Sequence, residues 1–204
     1  MSRIPSVTLE VPAVPTAAEF YAAAFGVGPQ LRLRQGAAPS TGFRGFTLSA
    51  VVAQRSAVDE LFAAALAAGA TALKPAKRQF WGGYSGVLRA PDGTIWKVAT
   101  DARTDDGRAA HAISGIVLLL GVADIVKSKD YYVQRGFAVA KSYGRKYVEF
   151  ESDGDAVKLG LYRRGGLAKD AGVPADGSGA HRLAIGNDVA DFVDLDGFAW
   201  ELDG

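Results

Sequence analysis

The chain opens with an alternating stretch, V-T-L-E-V at 7–11, whose period of two predicts a strand with one buried face. Thr16 followed by Glu19 has the spacing of a capping box, so a helix is expected over 17–25, closed by Gly26. Residues 30–34 and 43–53 read as strands, and the second runs straight into a helix capped by Ser56, with Asp59 three residues on. Leu61, Phe62, Ala65 and Leu66 form the apolar stripe of that helix, and Gly69 stops it. Strands are then expected at 71–74, 84–89 and 94–99. A polar run at 100–110 (TDARTDDGRAA) interrupts the pattern. Beyond it, an apolar strand at 116–122 leads to Asp124 as N-cap, a helix over 125–135 and Gly136 as its end. Strands at 138–142, 146–151 and 157–162 precede a glycine-rich loop at 165–179, a strand at 181–185 and a last strand after Asp196-Gly197.

The two halves echo one another. Each begins with a strand and a helix that carries an aromatic pair, Phe20-Tyr21 in one and Tyr131-Tyr132 in the other. Each ends alike, PDGTIWKV at 91–98 and LDGFAWEL at 195–202, so Asp92, Gly93 and Trp96 match Asp196, Gly197 and Trp200. Two correspondences in the same order indicate an internal repeat. Residues 43–99 and 113–162 are then complete strand-helix-three-strand modules, and 7–34 and 181–202 are shortened ones. The expected organisation is an N-terminal domain at 1–100, a linker at 101–112 and a C-terminal domain at 113–204.

Composition removes several chemistries. Among 204 residues there is no Cys, so disulfides, thiolate nucleophiles and Cys-ligated zinc are excluded. Two His, His111 and His181, cannot build a three-histidine site. Residues 1–100 carry 10 basic and 5 acidic side chains and 101–204 carry 13 and 17, but the basic residues are scattered, so nucleic acid is not an expected partner. No run reaches the roughly 18 apolar residues of a membrane span and no apolar leader opens the chain, so a cytoplasmic protein with no membrane partner is expected. Phosphate-loop, dinucleotide and nucleophile-elbow motifs are missing; GGLAKDAG at 165–172 lacks the Lys-Ser/Thr ending of a phosphate loop and reads as a loop with one helical turn.

The module order, the D-G-x-x-W-E-L ending at 196–202, the Ala-rich helix exit at 64–70 and the spacing of Lys74-Pro75, Trp81-Gly82 and Pro91-Asp92-Gly93 resemble the vicinal oxygen chelate superfamily. That superfamily includes glyoxalase I, bleomycin-resistance proteins and extradiol dioxygenases. The resemblance covers nearly the whole chain and implies an α+β fold of tandem βαβββ modules in glyoxalase-like cupped mixed sheets, the two outer modules shortened. It also implies a cup that holds a divalent metal, a drug or another small molecule.

Metal-dependent members of that superfamily take a His or Glu from the first strand of each module of a pair and a Glu or His from the last. In the C-terminal half these positions fall near Val117 (Ser114 being the nearest polar side chain), at Leu159 or Gly160, at His181 and at Glu201. In the N-terminal half they fall near Ser6, at 45–47 and at Lys97, a cation where the other half has Glu201. The resemblance therefore implies a metal site largely lost and no cofactor, or, in the alternative, a divalent metal held by His181 and Glu201. Strand alternation puts Trp96 and Trp200 under the helices and turns Lys97 and Glu201 to the cups. His181 and Glu201 are candidates for a proton-transfer pair, and equally for a salt bridge. Trp81, Tyr84, Tyr143 and Tyr147, with Lys97 and Arg145, are candidates for binding a flat ligand; core packing explains the rings equally well. The expected function is small-molecule binding in a sheet-lined cup. The alternatives are a metal-dependent glyoxalase-like lyase or dioxygenase, and a structural interaction module. Shortened modules leave sheet edges that a second copy could cover, so a homodimer stays open.

Overall fold

The computed structural model describes residues 2–26, 28–36, 38–79, 82–105 and 112–203. Strand β1 (Val7–Val11) buries Val7, Leu9 and Val11 completely, as its alternation requires. Helix α1 (Val14–Phe25) starts earlier than the capping-box spacing suggests. Pro15 in its first turn, with its fixed φ, sets the start, and no side chain caps it; Thr16 and Glu19 lie inside the helix. Then follow β2 (Leu31–Gln35), β3 (Ser40–Gly42) and β4 (Phe46–Val52). Helix α2 (Arg55–Ala67) is capped from a distance, not by Ser56: Asp105 Oδ1 accepts from the Arg55 and Ser56 amides at 2.8 and 3.3 Å. Strand β5 (Thr71–Arg78) extends beyond the expected 71–74 because it pairs antiparallel with β6 (Tyr84–Arg89) as an edge strand, where Pro75 is tolerated. Strand β7 (Ile95–Thr100) completes this module.

The next module comprises β8 (Ile113–Val122), α3 (Ile125–Val133), β9 (Val139–Ser142), β10 (Tyr147–Phe150) and β11 (Lys158–Arg163). Asp124 caps α3, its Oδ1 accepting from the Val126 and Lys127 amides at 3.0 and 3.2 Å. The expected glycine-rich loop instead begins with a helix, α4 (Arg164–Ala171). Strands β12 (Gly177–Gly179), β13 (Leu183–Asn187), β14 (Phe192–Val193) and β15 (Ala199–Leu202) end the chain.

In every module the first strand lies parallel to a later one: β4 to β7, β8 to β11, β13 to β15, and β1 to β2. First strands then meet antiparallel, β4 with β8 and β1 with β13. One sheet therefore has eight strands, β5-β6-β7-β4-β8-β11-β10-β9, and another five, β14-β15-β13-β1-β2; β12 and β3 form a ribbon. The pairing therefore crosses the two halves of the sequence. The inner modules pair with each other and the shortened outer ones with each other. The physical cause is the apolar content of β4, buried almost throughout, and of β8, buried over 118–122, which suits the centre of a sheet covered on both faces. Helices α1, α2 and α3 cover the convex sides, where Trp96 and Trp200 are buried. Among the described residues no helix is long and apolar enough to cross a membrane.

Candidate functional site

On the concave face of the eight-stranded sheet, register aligns Lys97, Ser49, Val117 and Lys158 in one row across β7, β4, β8 and β11. The expected position at Leu159 or Gly160 is thus one residue off for Leu159, which points to the core, and a one-residue shift exchanges the faces of a strand. Helix α4 lies over this face. Its Leu167, Ala168 and Ala171 are buried against Phe43, Val87, Ile95 and Leu119. Lys97 Nζ donates to Asp170 Oδ2 at 2.8 Å. Lys74 Nζ donates to the Lys169 and Asp170 carbonyls at 2.8 and 2.6 Å, satisfying the open C-terminal end of the helix.

Two rings, Tyr147 and Tyr162, pack against the cluster that α4 forms with the sheet, and Tyr143 stacks on the outer side of Tyr147. Tyr147 lies 4.8 Å from Tyr162 and 6.2 Å from Tyr143, centroid to centroid. Gly160 lets the Tyr147 ring lie close to the sheet, since a Cβ there would come 2.7 Å from Leu119 Cδ2 and 3.2 Å from Tyr147 Cε2. The Tyr147 hydroxyl donates to Glu149 Oε2 at 2.8 Å, while Glu149 Oε1 is 3.6 Å from Lys141 Nζ and 3.7 Å from Lys158 Nζ. Burial, then the Glu149 carboxylate, pushes the Tyr147 phenol far above its ordinary range; burial, then Asp170 and Glu149, moves Tyr162 the same way. Both rings are neutral platforms and donors, not bases.

The five-stranded sheet presents a different concave surface. Glu201 is in register with Gly186, whose amide donates to the Ser6 carbonyl. Arg34 grips both Glu201 oxygens at 3.0 Å and reaches Glu10 Oε1 at 2.8 Å. Asp203 accepts from Arg32 at 2.5 Å and from the Ser6 hydroxyl at 2.8 Å. Burial alone would raise the Asp203 carboxyl, but the hydrogen bonds from Arg32 and Ser6 bring it below the usual range.

His181 is not in this polar array. Its Nδ1 lies 2.5 Å from the Arg44 carbonyl oxygen, its Nε2 3.1 Å from that of Asp196, and its ring stacks on Phe198 at 3.9 Å. Both nitrogens are turned to backbone carbonyls, one just before β4 and one just before β15, while Glu201 sits further along β15, bound to Arg34. The structure does not bring His181 and Glu201 together as a proton-transfer pair or a salt bridge. Nor do the residues fit a divalent metal. The ligand row of one cup is Lys, Ser, Val and Lys, the carboxylates of the other (Glu10, Glu201 and Asp203) are each already paired with Arg34 or Arg32, and no group of three or more His, Asp or Glu suited to a metal occurs among the described residues.

Of the ring candidates, Tyr143 and Tyr147 come together as expected. Tyr84 faces the opposite side of the sheet, its hydroxyl 2.8 Å from Asp59 Oδ1 on α2. Arg145 is exposed in the turn between β9 and β10, and Trp81 lies outside the described residues. Sequence reasoning missed Lys158, Glu149, Tyr162 and Asp170. The signal for the first three was the alternation of β10 and β11, readable once their register to β8 is known.

Paired βαβββ modules closing into cupped sheets are the fold of the vicinal oxygen chelate superfamily, and this chain has it. Among solved structures it is similar to glyoxalase I from Zea mays, at 16% identity and a TM-score of 0.64, over 98% of this chain and 91% of that one. It is also similar to a putative dioxygenase from Bacillus subtilis, at 16% identity and a TM-score of 0.56, over 95% of this chain and 71% of that one. No protein-family model and no curated protein matches the chain. At these identities the likeness is one of fold.

Proposed function

We propose that the protein binds a small organic molecule on the concave face of the eight-stranded sheet, beside α4, without a resident metal. The observation that carries this reading is the row Lys97, Ser49, Val117 and Lys158 at the positions where metal-dependent relatives place their ligands, flanked by the rings of Tyr147 and Tyr162. Such a row offers two ammonium groups, a hydroxyl and an apolar floor, which suits recognition rather than Lewis-acid chemistry. The lyase or dioxygenase alternative would need His181 and Glu201 in one site, and both are committed to other partners.

A panel of planar ring compounds tests the reading by thermal shift. A binder raises Tm in proportion to RT ln(1 + [L]/Kd), and Tyr147→Ala abolishes the rise. A panel without effect on the wild type defeats it. Purified protein is expected to carry less than about 0.2 equivalents of Zn, Ni, Fe or Mn, since an incomplete donor set holds a divalent ion weakly. EDTA should leave Tm unchanged. Near-stoichiometric metal lost on His181→Ala would reinstate the metal-dependent alternative.

A further inference from the structure

We propose that the ligand of this cup is a planar organic acid, and that Asp170 is its built-in competitor, holding Lys97 until a ligand carboxylate takes its place. This rests on the reading that the cup binds a small molecule. Positive charge on the face is under-matched: Lys141 and Lys158 share one carboxylate oxygen of Glu149 at 3.6 and 3.7 Å, and the other oxygen is taken by Tyr147. Lys97 has Asp170 as its carboxylate, and that partner comes from the helix laid over the sheet, not from the sheet itself. The two ends of the pair differ. The Lys97 side chain is 20% exposed and stands between Ser49 and Val87, whereas that of Asp170 is 42% exposed at the outer side. The cation is therefore the fixed member, and the carboxylate needs only to rotate into water to leave.

Helix α4 does not depend on that carboxylate. Its C-terminal carbonyls are held by Lys74, and Leu167, Ala168 and Ala171 anchor its apolar side. An ion pair this exposed is weak and readily exchanged. A ligand carboxylate in the same position keeps Lys97 paired, and the rings of Tyr162 and Tyr147, which pack against the cluster that α4 forms with the sheet and lie 4.8 Å from each other, are the flat surfaces this face offers.

Calorimetric titration of naphthalene-2-carboxylate, with naphthalene-2-carboxamide as its neutral counterpart, tests this on the wild type, Asp170→Asn and Lys97→Met. The carboxylate should bind the wild type at least about 10-fold more tightly than the amide, as expected when a charged hydrogen bond is retained in one and lost in the other. Asp170→Asn should tighten the carboxylate about 5-fold, the factor for freeing a site that its competitor fills about four-fifths of the time, and should leave the amide unchanged. Lys97→Met should erase the preference. Asp170→Asn changes an exposed position, so its result stands even if Lys97→Met fails to fold. Equal binding of acid and amide to the wild type overturns the acid assignment and leaves small-molecule binding intact. A preference for the acid that Asp170→Asn does not strengthen overturns the competitor role. Failure of both probes on folded wild type and Asp170→Asn overturns this inference, and the binding reading itself falls only if the wider panel of rings is also without effect.

Discussion

At the residue scale, the two buried Trp–Tyr seats differ in which carboxylate completes them. Tyr21 donates to Asp92 Oδ2 at 3.1 Å, with Trp96 Nε1 3.4 Å from the Tyr21 hydroxyl. In the other half the matching ring, Tyr132, donates at 2.5 Å not to Asp196, the sequence counterpart of Asp92, but to Asp194 Oδ2, which also accepts from Trp200 Nε1 at 3.1 Å. Asp196 instead accepts from the Ala123 amide and the Ser128 hydroxyl, tying the turn to α3. Burial, then the neighbouring carboxylate, raises both phenols well above their ordinary range. The neutral phenol is thus favoured in the folded state, while the unfolded chain ionises near a pH of about 10. Their contribution is complete below that value and is lost as pH rises above it. The urea midpoint should therefore fall steeply between pH 9.5 and 11.5, and less steeply in Tyr132→Phe. At pH 7 that variant should lose about 1.5–3 kcal/mol, the scale of a buried hydrogen bond to a charged group. A pH-independent midpoint across this range would contradict the assignment.

At the scale of elements, α3 follows its local signals, Asp124 before it and Gly136 after it, whereas α2 takes its cap from Asp105, some fifty residues away in the chain. Asp105→Ala should lower stability by about 1 kcal/mol, the usual cost of losing an N-cap acceptor, and should speed amide exchange at Arg55 and Ser56. Unchanged exchange there would show that the cap does not hold in solution. Helix α4 is the element that local reasoning reads short, as one turn within a loop. Gly165 and Gly166 lie in its first turn and argue for a loop, since each glycine costs about 1 kcal/mol in a helix interior. The helix forms because Leu167, Ala168 and Ala171 reach an apolar patch on the concave sheet, and burial outweighs propensity.

At the scale of the whole molecule, the halves are joined by three strand pairings, β4 with β8, β1 with β13 and β3 with β12, so the pairing of strands runs across the two halves of the sequence. Fragments 1–105 and 106–204 should each be largely unfolded alone, because each exposes the open edges of both sheets, and should regain native circular dichroism when mixed. The intact chain should unfold in one transition. A folded, monomeric fragment would support the division into domains at 1–100 and 113–204.

The sequence by itself determined most of the strands and helices, the burial of Trp96 and Trp200 and the outward turn of Lys97 and Glu201. Those follow from local periodicity and from the alternation of a strand, which need no partner to be read. Only the tertiary structure decided that the inner modules share a cup, that Lys158 stands in row with Lys97, that His181 is spent on backbone carbonyls, and that α4 lies where a ligand was expected. Each of these depends on strand register or on contacts between residues far apart in the chain. One residue of slip exchanges the faces of a strand, and an alternating pattern names the two faces without saying which neighbour each will meet.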